Sequence, residues 1–202
     1  MSSIKEIAKK NNACKEALKW LNNHKNKPDE WLWEHSARPD WMVWFLRYSA
    51  IDLPKKTWVQ VAVACAESVL GIFEKKYPED SRPRKAIEAA KAWPTNDAVD
   101  VAAAAASAVD ASNTAAFAAI SNYAATHAAN VAAYAAYSAH AAAFAAYATS
   151  DADYISYAAI SAYAAYNATK GSKQGTNATA AEKIIRMLPW GNFGKSLNGK
   201  KR

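Results

Sequence analysis

Hydrophobic residues recur at helical spacing from the start of the chain. Ser3 and Glu6 form an S-x-x-E capping box, and behind it Ile4, Ile7, Ala8, Cys14, Ala17, Leu18 and Leu21 line one helical face. The pattern predicts a single helix that ends between Asn23 and Asn26, ahead of Pro28, because a residue before proline is pushed out of the helical region. Asp29 should cap a short helix bearing Trp31, Leu32 and Trp33. Pro39-Asp40 opens another, with Trp41, Met42, Val43, Trp44, Phe45 and Leu46. Leu53-Pro54 starts a longer helix, apolar at Trp58, Val61, Ala62, Cys65, Ala66, Val69, Leu70 and Phe73 and ended by Pro78. Pro83 sits in the first turn of the next, which runs through Ala86, Ile87, Ala89, Ala90 and Trp93 and stops before Pro94.

From Thr95 to Lys170 the pattern changes. No glycine or proline occurs, and alanine punctuated by tyrosine dominates. Alanine is the strongest helix former, so helix is the one plausible backbone state. As one helix the tract would be roughly 110 Å long at ~1.5 Å per residue. A domain of this length has a radius of gyration of about 16 Å, so the tract must fold back. Its turns must come from side chains that compete for backbone hydrogen bonds: Asp110-Ala-Ser-Asn-Thr114, Thr149-Ser-Asp-Ala-Asp153 and, more weakly, Ser121-Asn122 through Asn130. Helices are predicted over 97–110, 113–148 (with a break near 128–130) and 151–169. Aromatic pairs recur at Tyr134/Tyr137, Phe144/Tyr147, Tyr154/Tyr157 and Tyr163/Tyr166. A spacing of about ten residues rotates each pair by about −80° from the last, so the stripe winds round the helix and suits one packed on several sides, with tyrosines filling gaps between closely spaced axes.

The expected fold class is therefore all-α, a compact bundle of closely packed Ala/Tyr-rich helices. Its expected organisation is one helical domain over 1–170, with a Trp-rich part (1–94) and an Ala/Tyr-rich part (95–170). A linker follows at 171–181 (GSKQGTNATA in part), then a short helix at 182–189 and a basic, flexible tail at 190–202.

Charge refines the picture. The net charge is +7, yet residues 96–169 carry five aspartates and no lysine or arginine, leaving +12 on the remainder. A basic shell around a nearly uncharged body either keeps that body dispersed or attracts an anionic partner. So little charge on the body also predicts self-association into at least a dimer. Cys14 and Cys65, the only cysteines, both fall in helical patterns and are expected as buried free thiols. Met1-Ser-Ser-Ile-Lys lacks the apolar core of a signal peptide, which points to the cytoplasm. The alanine tract holds too many serines, asparagines and histidines, and alanine transfers too weakly, for any stretch of ~20 residues in it to span a membrane.

Candidate chemistry is sparse. No nucleotide-binding, hydrolase or metalloprotease signature occurs, and the four histidines have no metal-ligand spacing with the cysteines. No metal and no cofactor is expected, nor an enzyme, since no nucleophile, base and oxyanion donor can be proposed together. Gly191-x-x-Gly194-Lys195-Ser196 lacks the spacing of a phosphate loop, and Glu34-His35 reads as a surface helix terminus. The tryptophans are more informative. Trp41 and Trp44 lie three apart with Arg47 at the next step, which would set one guanidinium beside two indoles. These are core residues or a stacking site for an aromatic, anionic ligand. Arg82 and Arg84 stand at a helix N-terminus, where the dipole opposes them. Either carboxylates (Glu67, Glu79, Asp80, Glu88) pair with them or an anion is held there. His127, Asn130, Tyr134 and His140 are polar members of the alanine tract, suited to interhelical hydrogen bonds or to a polar cleft.

Several segments together resemble a family. Cys14-x-x-Ala-Leu-x-Trp-Leu21, Asp40-Trp-x-x-Trp-x-Leu46, Ala66-x-x-Val-Leu70, Asp80-x-Arg-Pro-x-x-Ala-Ile-Glu-Ala-Ala-x-x-Trp93 and Ile184-Ile-Arg-x-x-Pro189 are similar to elements of the Imm-5-like immunity proteins of bacterial toxin–immunity loci and phage genomes. The resemblance spans about residues 13–189. It implies an all-helical, non-enzymatic protein that neutralises a target by binding it, and the first expectation for that target is a protein toxin or effector. The basic charge favours an acidic or anionic target. The alternative is a sponge for an anionic nucleotide signal, with Trp or Tyr stacked on its base and arginine on its phosphates. Nucleic acid and membrane are not expected partners.

Overall fold

The computed structural model describes residues 3–49, 51–92, 103, 105–111, 113, 144, 154–169, 183–184 and 186–190. Among these the chain is all-α, with no strand. The named elements are α1 (Ile4–Lys10), α2 (Lys15–Asn23), α3 (Asp29–Glu34), α4 (Pro39–Tyr48), α5 (Lys55–Lys76), α6 (Arg82–Ala92) and α7 (Tyr154–Thr169). Residues 105–111 are also helical, as are Lys183, Ile184, Arg186 and Met187. Most of the expected helices at 97–110 and 113–148, the 171–181 linker and the 191–202 tail lie outside the described residues.

The N-terminal region differs from its expected single helix. The capping box forms, with Ser3 Oγ accepting from Glu6 N–H and Glu6 accepting from Ser3 N–H. The helix then stops at Lys10, and Asn12 turns the chain at φ 55°, a left-handed conformation that asparagine tolerates better than most residues. Asn11 Nδ2 donates to the Ile7 carbonyl and satisfies part of the helix end. Cys14, expected to be buried, is an exposed residue at the start of α2. Asp29 does not cap its own helix; Pro28 takes that position, and the Asp29 carboxylate accepts from Ile4 N–H at 3.1 Å. It thereby serves the start of α1 and ties α3 to it.

The core is built around α5, which buries Trp58, Val59, residues 61–66, Val69, Leu70 and Phe73. This helix is the one described that is long and apolar enough to cross a membrane, and most of the stretch is buried within the protein. Its most extensive partner is α7, which also packs on α4. Small side chains are prominent on both helices: Ala62 and Ala66 on α5, and Ala158, Ala162, Ala165 and Ala168 on α7, are all but inaccessible. Ser161 Oγ donates to the Ala62 carbonyl at 3.1 Å across the contact. Buried positions cover α7 on more than one side, as the winding aromatic stripe predicts. The tyrosines of α7 whose side chains are described divide: Tyr163 is 57% exposed and fills no gap, whereas Tyr166 is half-buried with its ring against Arg38 beside α4.

Carboxylates join α5 to α6. Asp80 receives the Arg82 guanidinium at 2.9 and 2.6 Å and its backbone N–H at 3.1 Å, and Arg84 Nε donates to Glu74 at 2.6 Å. The Arg82 hydrogen bonds hold the Asp80 carboxyl below its ordinary range. The C-terminal segment is pinned by Trp33 Nε1, which donates to the Leu188 carbonyl at 3.0 Å.

Two consequences are measurable. Ala162→Leu should destabilise the fold by about 1–3 kcal/mol through overpacking, read as a lower urea midpoint with an unchanged slope. Burial pushes the Cys65 thiol up to about 12, whereas Cys14 is exposed. Dithionitrobenzoate at about pH 8 should therefore modify one of the two thiols in the native protein and the second only after denaturation.

Candidate functional site

A cleft of about 720 Å³ opens where α2, α4 and α7 meet near the α1–α2 turn. Aromatic side chains from three helices converge on it: Trp20 from α2, Trp41 and Trp44 from α4, and Tyr163 and Tyr166 from α7. Each helix delivers its residue for a local reason. Trp20 rides the face of α2 that buries Ala17 and Leu21. Trp41 and Trp44 are one turn apart on α4. The tyrosines project from the side of α7 not committed to α5.

Arg38 is the polar centre of this cleft. It precedes Pro39 in an extended conformation (φ −118°, ψ 93°), as the proline requires. Its guanidinium makes a two-pronged pair with Asp40, Nε to Oδ1 at 2.8 Å and Nη2 to Oδ2 at 2.7 Å, while Nη1 reaches Glu16 at 3.2 Å. The same group lies 3.4 Å from the Tyr166 ring centroid and 4.4 Å from that of Trp41. Burial works against the Arg38 charge, but the Asp40 hydrogen bonds and charge, with Glu16 behind them, outweigh it, so its pKa is raised and the ion is permanent. The Arg38 and Asp40 side chains are 18% and 11% exposed, which makes this a partly desolvated pair and sets it apart from a surface salt bridge.

An aromatic row leads away from the cleft. Trp41 and Trp20 are 5.9 Å apart, Trp20 and His24 4.8 Å, His24 and Trp31 5.1 Å, and Trp31 stacks on His35 at 4.1 Å. Both histidines place Nδ1 on a carbonyl four residues back, at 2.8 Å for His24 and 2.9 Å for His35. A carbonyl only accepts, so Nδ1 carries a proton in each. His35 is an exposed helix terminus, as the sequence suggests. One donor of the cleft stands out: Trp41 Nε1–H is sealed from solvent and has no acceptor among the described residues. Such a group costs about 1–3 kcal/mol.

The cleft is thus shaped to stack flat or apolar groups and to offer a fixed, internally neutralised cation. Its charged lining, Lys15 and Arg38 against Glu16 and Asp40, is balanced. Among the described residues no group of three His, Cys, Asp or Glu could hold a metal ion.

Sequence reasoning placed some of this site. Trp41 and Trp44 line the cleft as a pair. Arg47 does not: it is exposed and lies 5.9 Å from the Tyr48 ring. The guanidinium beside Trp41 belongs to Arg38, because helical side chains lean toward the N-terminus and Trp41 therefore covers the preceding turn. Arg82 and Arg84 sit on α6 against Asp80 and Glu74, outside the cleft's lining. His127, Tyr134 and His140 lie outside the described residues. Arg38 and Tyr166 were missed as a pair. The signal available was Arg-Pro-Asp, an arginine two residues from a carboxylate across a proline.

The two carboxylates on Arg38 should differ sharply in weight. Asp40→Asn should cost about 2 kcal/mol by leaving a partly desolvated guanidinium with one distant partner. Glu16, with a side chain 72% exposed, should cost no more than about 0.5 kcal/mol as Glu16→Gln. Chemical denaturation of both variants checks this, and equal losses would contradict the assignment.

The family model described as "Imm-5 like putative immunity protein" matches residues 50–185. No curated protein and no solved structure matches the chain. The match takes in α5, α6 and α7, while the tryptophan-bearing segments over residues 14–46 lie before it. A match over two-thirds of the length, on the helices that form the core, places this chain in the Imm-5-like family of immunity proteins.

Proposed function

We propose that this protein is a non-catalytic immunity protein that neutralises a protein toxin or effector by occupying part of its surface, and that the aromatic cleft is a principal contact. The observation that carries the reading is the composition of the cleft wall. Tryptophan, tyrosine and arginine are the residues that dominate binding energy at protein interfaces, and here they converge on one concavity. Arg38 is already held by Asp40 and Glu16, so a partner meets a rigid surface and little ordering entropy is lost.

Sequestration of an anionic nucleotide is the second reading. The faces of Trp20 and Trp44 favour it, since a base stacks on either. The carboxylates already on Arg38, Arg82 and Arg84 weigh against it, because each phosphate would have to displace one.

Titration calorimetry separates the two. The toxin or effector encoded beside this chain should bind it and lose activity, and Tyr163→Ala should weaken binding at least ~10-fold. Tyr163 is 57% exposed, so its removal leaves the fold intact and reports on contact alone. Failure to bind, or full inhibition by the variant, would sink the cleft reading. Binding of a cyclic or ADP-ribose nucleotide tighter than ~10 µM would establish the second instead.

A further inference from the structure

Arg38 has hydrogen-bonding capacity that its carboxylates leave unused. A guanidinium carries five N–H donors. Asp40 takes two of them, through Nε and Nη2, and Glu16 takes a third through Nη1. The second N–H of Nη1 and the second N–H of Nη2 have no acceptor among the described residues. The Tyr166 and Trp41 rings lie against the group at 3.4 and 4.4 Å, so its edge is what remains to be offered. The side chain keeps 18% of its surface open and lines the aromatic cleft, so a molecule in the cleft can reach it.

Charge decides which acceptor suits these donors. A carboxylate or phosphate is the strongest acceptor for a guanidinium. Here two carboxylates already adjoin Arg38, and the charged residues of the described lining cancel, Lys15 and Arg38 against Glu16 and Asp40. A further anion would give a partly desolvated site a net negative charge and meet repulsion from Asp40 and Glu16. An amide carbonyl accepts the same N–H groups and adds no charge.

Shape decides what carries the carbonyl. Trp20, Trp44 and Tyr163, from three different helices, each keep part of their surface open in the cleft. Such rings favour a further ring in offset or edge-on contact. The cleft volume of about 720 Å³ falls among the cavities of ~300–1,000 Å³ that enclose molecules larger than one ring. It therefore admits a ring together with the main chain that bears it.

We propose that the cleft takes an uncharged aromatic residue of the neutralised protein, with a main-chain carbonyl beside the ring accepting from the free Nη N–H groups of Arg38. This deepens the immunity reading and rests on it for the protein that supplies the residue. Arg38 is then the residue that sets specificity: it favours peptide main chain next to the ring and disfavours an acid.

The test needs no effector. The probe is N-acetyl-tryptophanamide, titrated into the isotope-labelled full chain and followed by the NMR shift of Arg38 Nε–H. A Kd of about 0.1–1 mM is expected for a ligand of this size. Indole has the ring alone and N-acetyl-leucinamide the carbonyls alone, and each should bind at least ~3-fold more weakly. N-acetyltryptophan, with a carboxylate in place of the amide, should bind no more tightly than the amide. Added salt should change the amide's affinity by less than about 2-fold. Tyr163→Ala should weaken it at least ~3-fold. Arg38→Lys keeps the charge but loses the planar fork, and should abolish the advantage over indole. Arg84→Gln, outside the cleft, should leave binding unchanged. The comparison of probes on the native chain stands whether or not Arg38→Lys folds. Four results would overturn the proposal: no shift at Arg38, indole binding as tightly as the amide, tighter binding of the carboxylate, or adenosine binding more tightly than the amide. An effector that bound in a Tyr163-dependent way, with no binding of the amide, would remove this inference and leave the immunity reading. Binding of the amide with no effector bound would remove the immunity reading and leave the preference of the cleft.

Discussion

The close approach of α7 to α5 is the constraint on which the rest of the molecule depends. Inaccessible alanines on both helices accompany it, with the Ser161 hydroxyl donated across to the Ala62 carbonyl. Each buried methyl contributes only about 0.8 kcal/mol, so the contact does not derive its strength from any single residue. It works through geometry. Alanine on both surfaces lets the helices approach until little space remains, and a close-packed seam resists sliding and rotation. That rigidity fixes the neighbouring α4. Because α7 packs on both helices, the height of its seam on α5 determines where Tyr166 meets Arg38 and where Tyr163 borders the cleft.

The functional geometry is therefore remote from the interaction that secures it. A guanidinium 3.4 Å from a tyrosine ring centroid tolerates little displacement, since the attraction depends on the cation lying over the ring face. Asp40 holds Arg38 from below through a two-pronged pair that belongs to the start of α4, where a carboxylate also suits the helix dipole. One wall of the cleft is thus set by local sequence at Arg38-Pro39-Asp40, and the other by tertiary packing of α7. Only the first can be read from neighbouring residues.

That division explains what the sequence disclosed. Proline and capping chemistry are local, and the boundaries at Ser3, Pro39, Pro54, Pro78 and Pro83 emerge in the structure within a residue or two. The break at Asn11-Asn12 is also local but weaker: asparagine permits a left-handed turn without requiring it, and the flanking apolar spacing fits one helix equally well. Cys14 was misplaced for the same reason, since a continuous helix would have turned it inward. The expectation that Arg47 would sit beside Trp41 and Trp44 failed on direction: helical side chains lean toward the N-terminus, so Trp41 meets Arg38, while Arg47 lies by Tyr48. The described parts of the alanine tract, 105–111 and α7, were legible as helix by composition, yet composition says nothing of which methyl face meets which helix. That is why Tyr166 could not be assigned to Arg38 beforehand.

Charge follows the same logic. The basic remainder of the chain looks uniform in sequence, but much of it is cancelled where acids lie within two residues or one helix away: Asp40 for Arg38, Asp80 for Arg82 and Glu74 for Arg84. Paired cations are fixed structural charges with weak outward fields. The cleft shows the result: its lining cations, Lys15 and Arg38, are balanced by Glu16 and Asp40, so what it presents to an approaching molecule is shape and aromatic surface more than net charge, and any binding there should respond weakly to ionic strength.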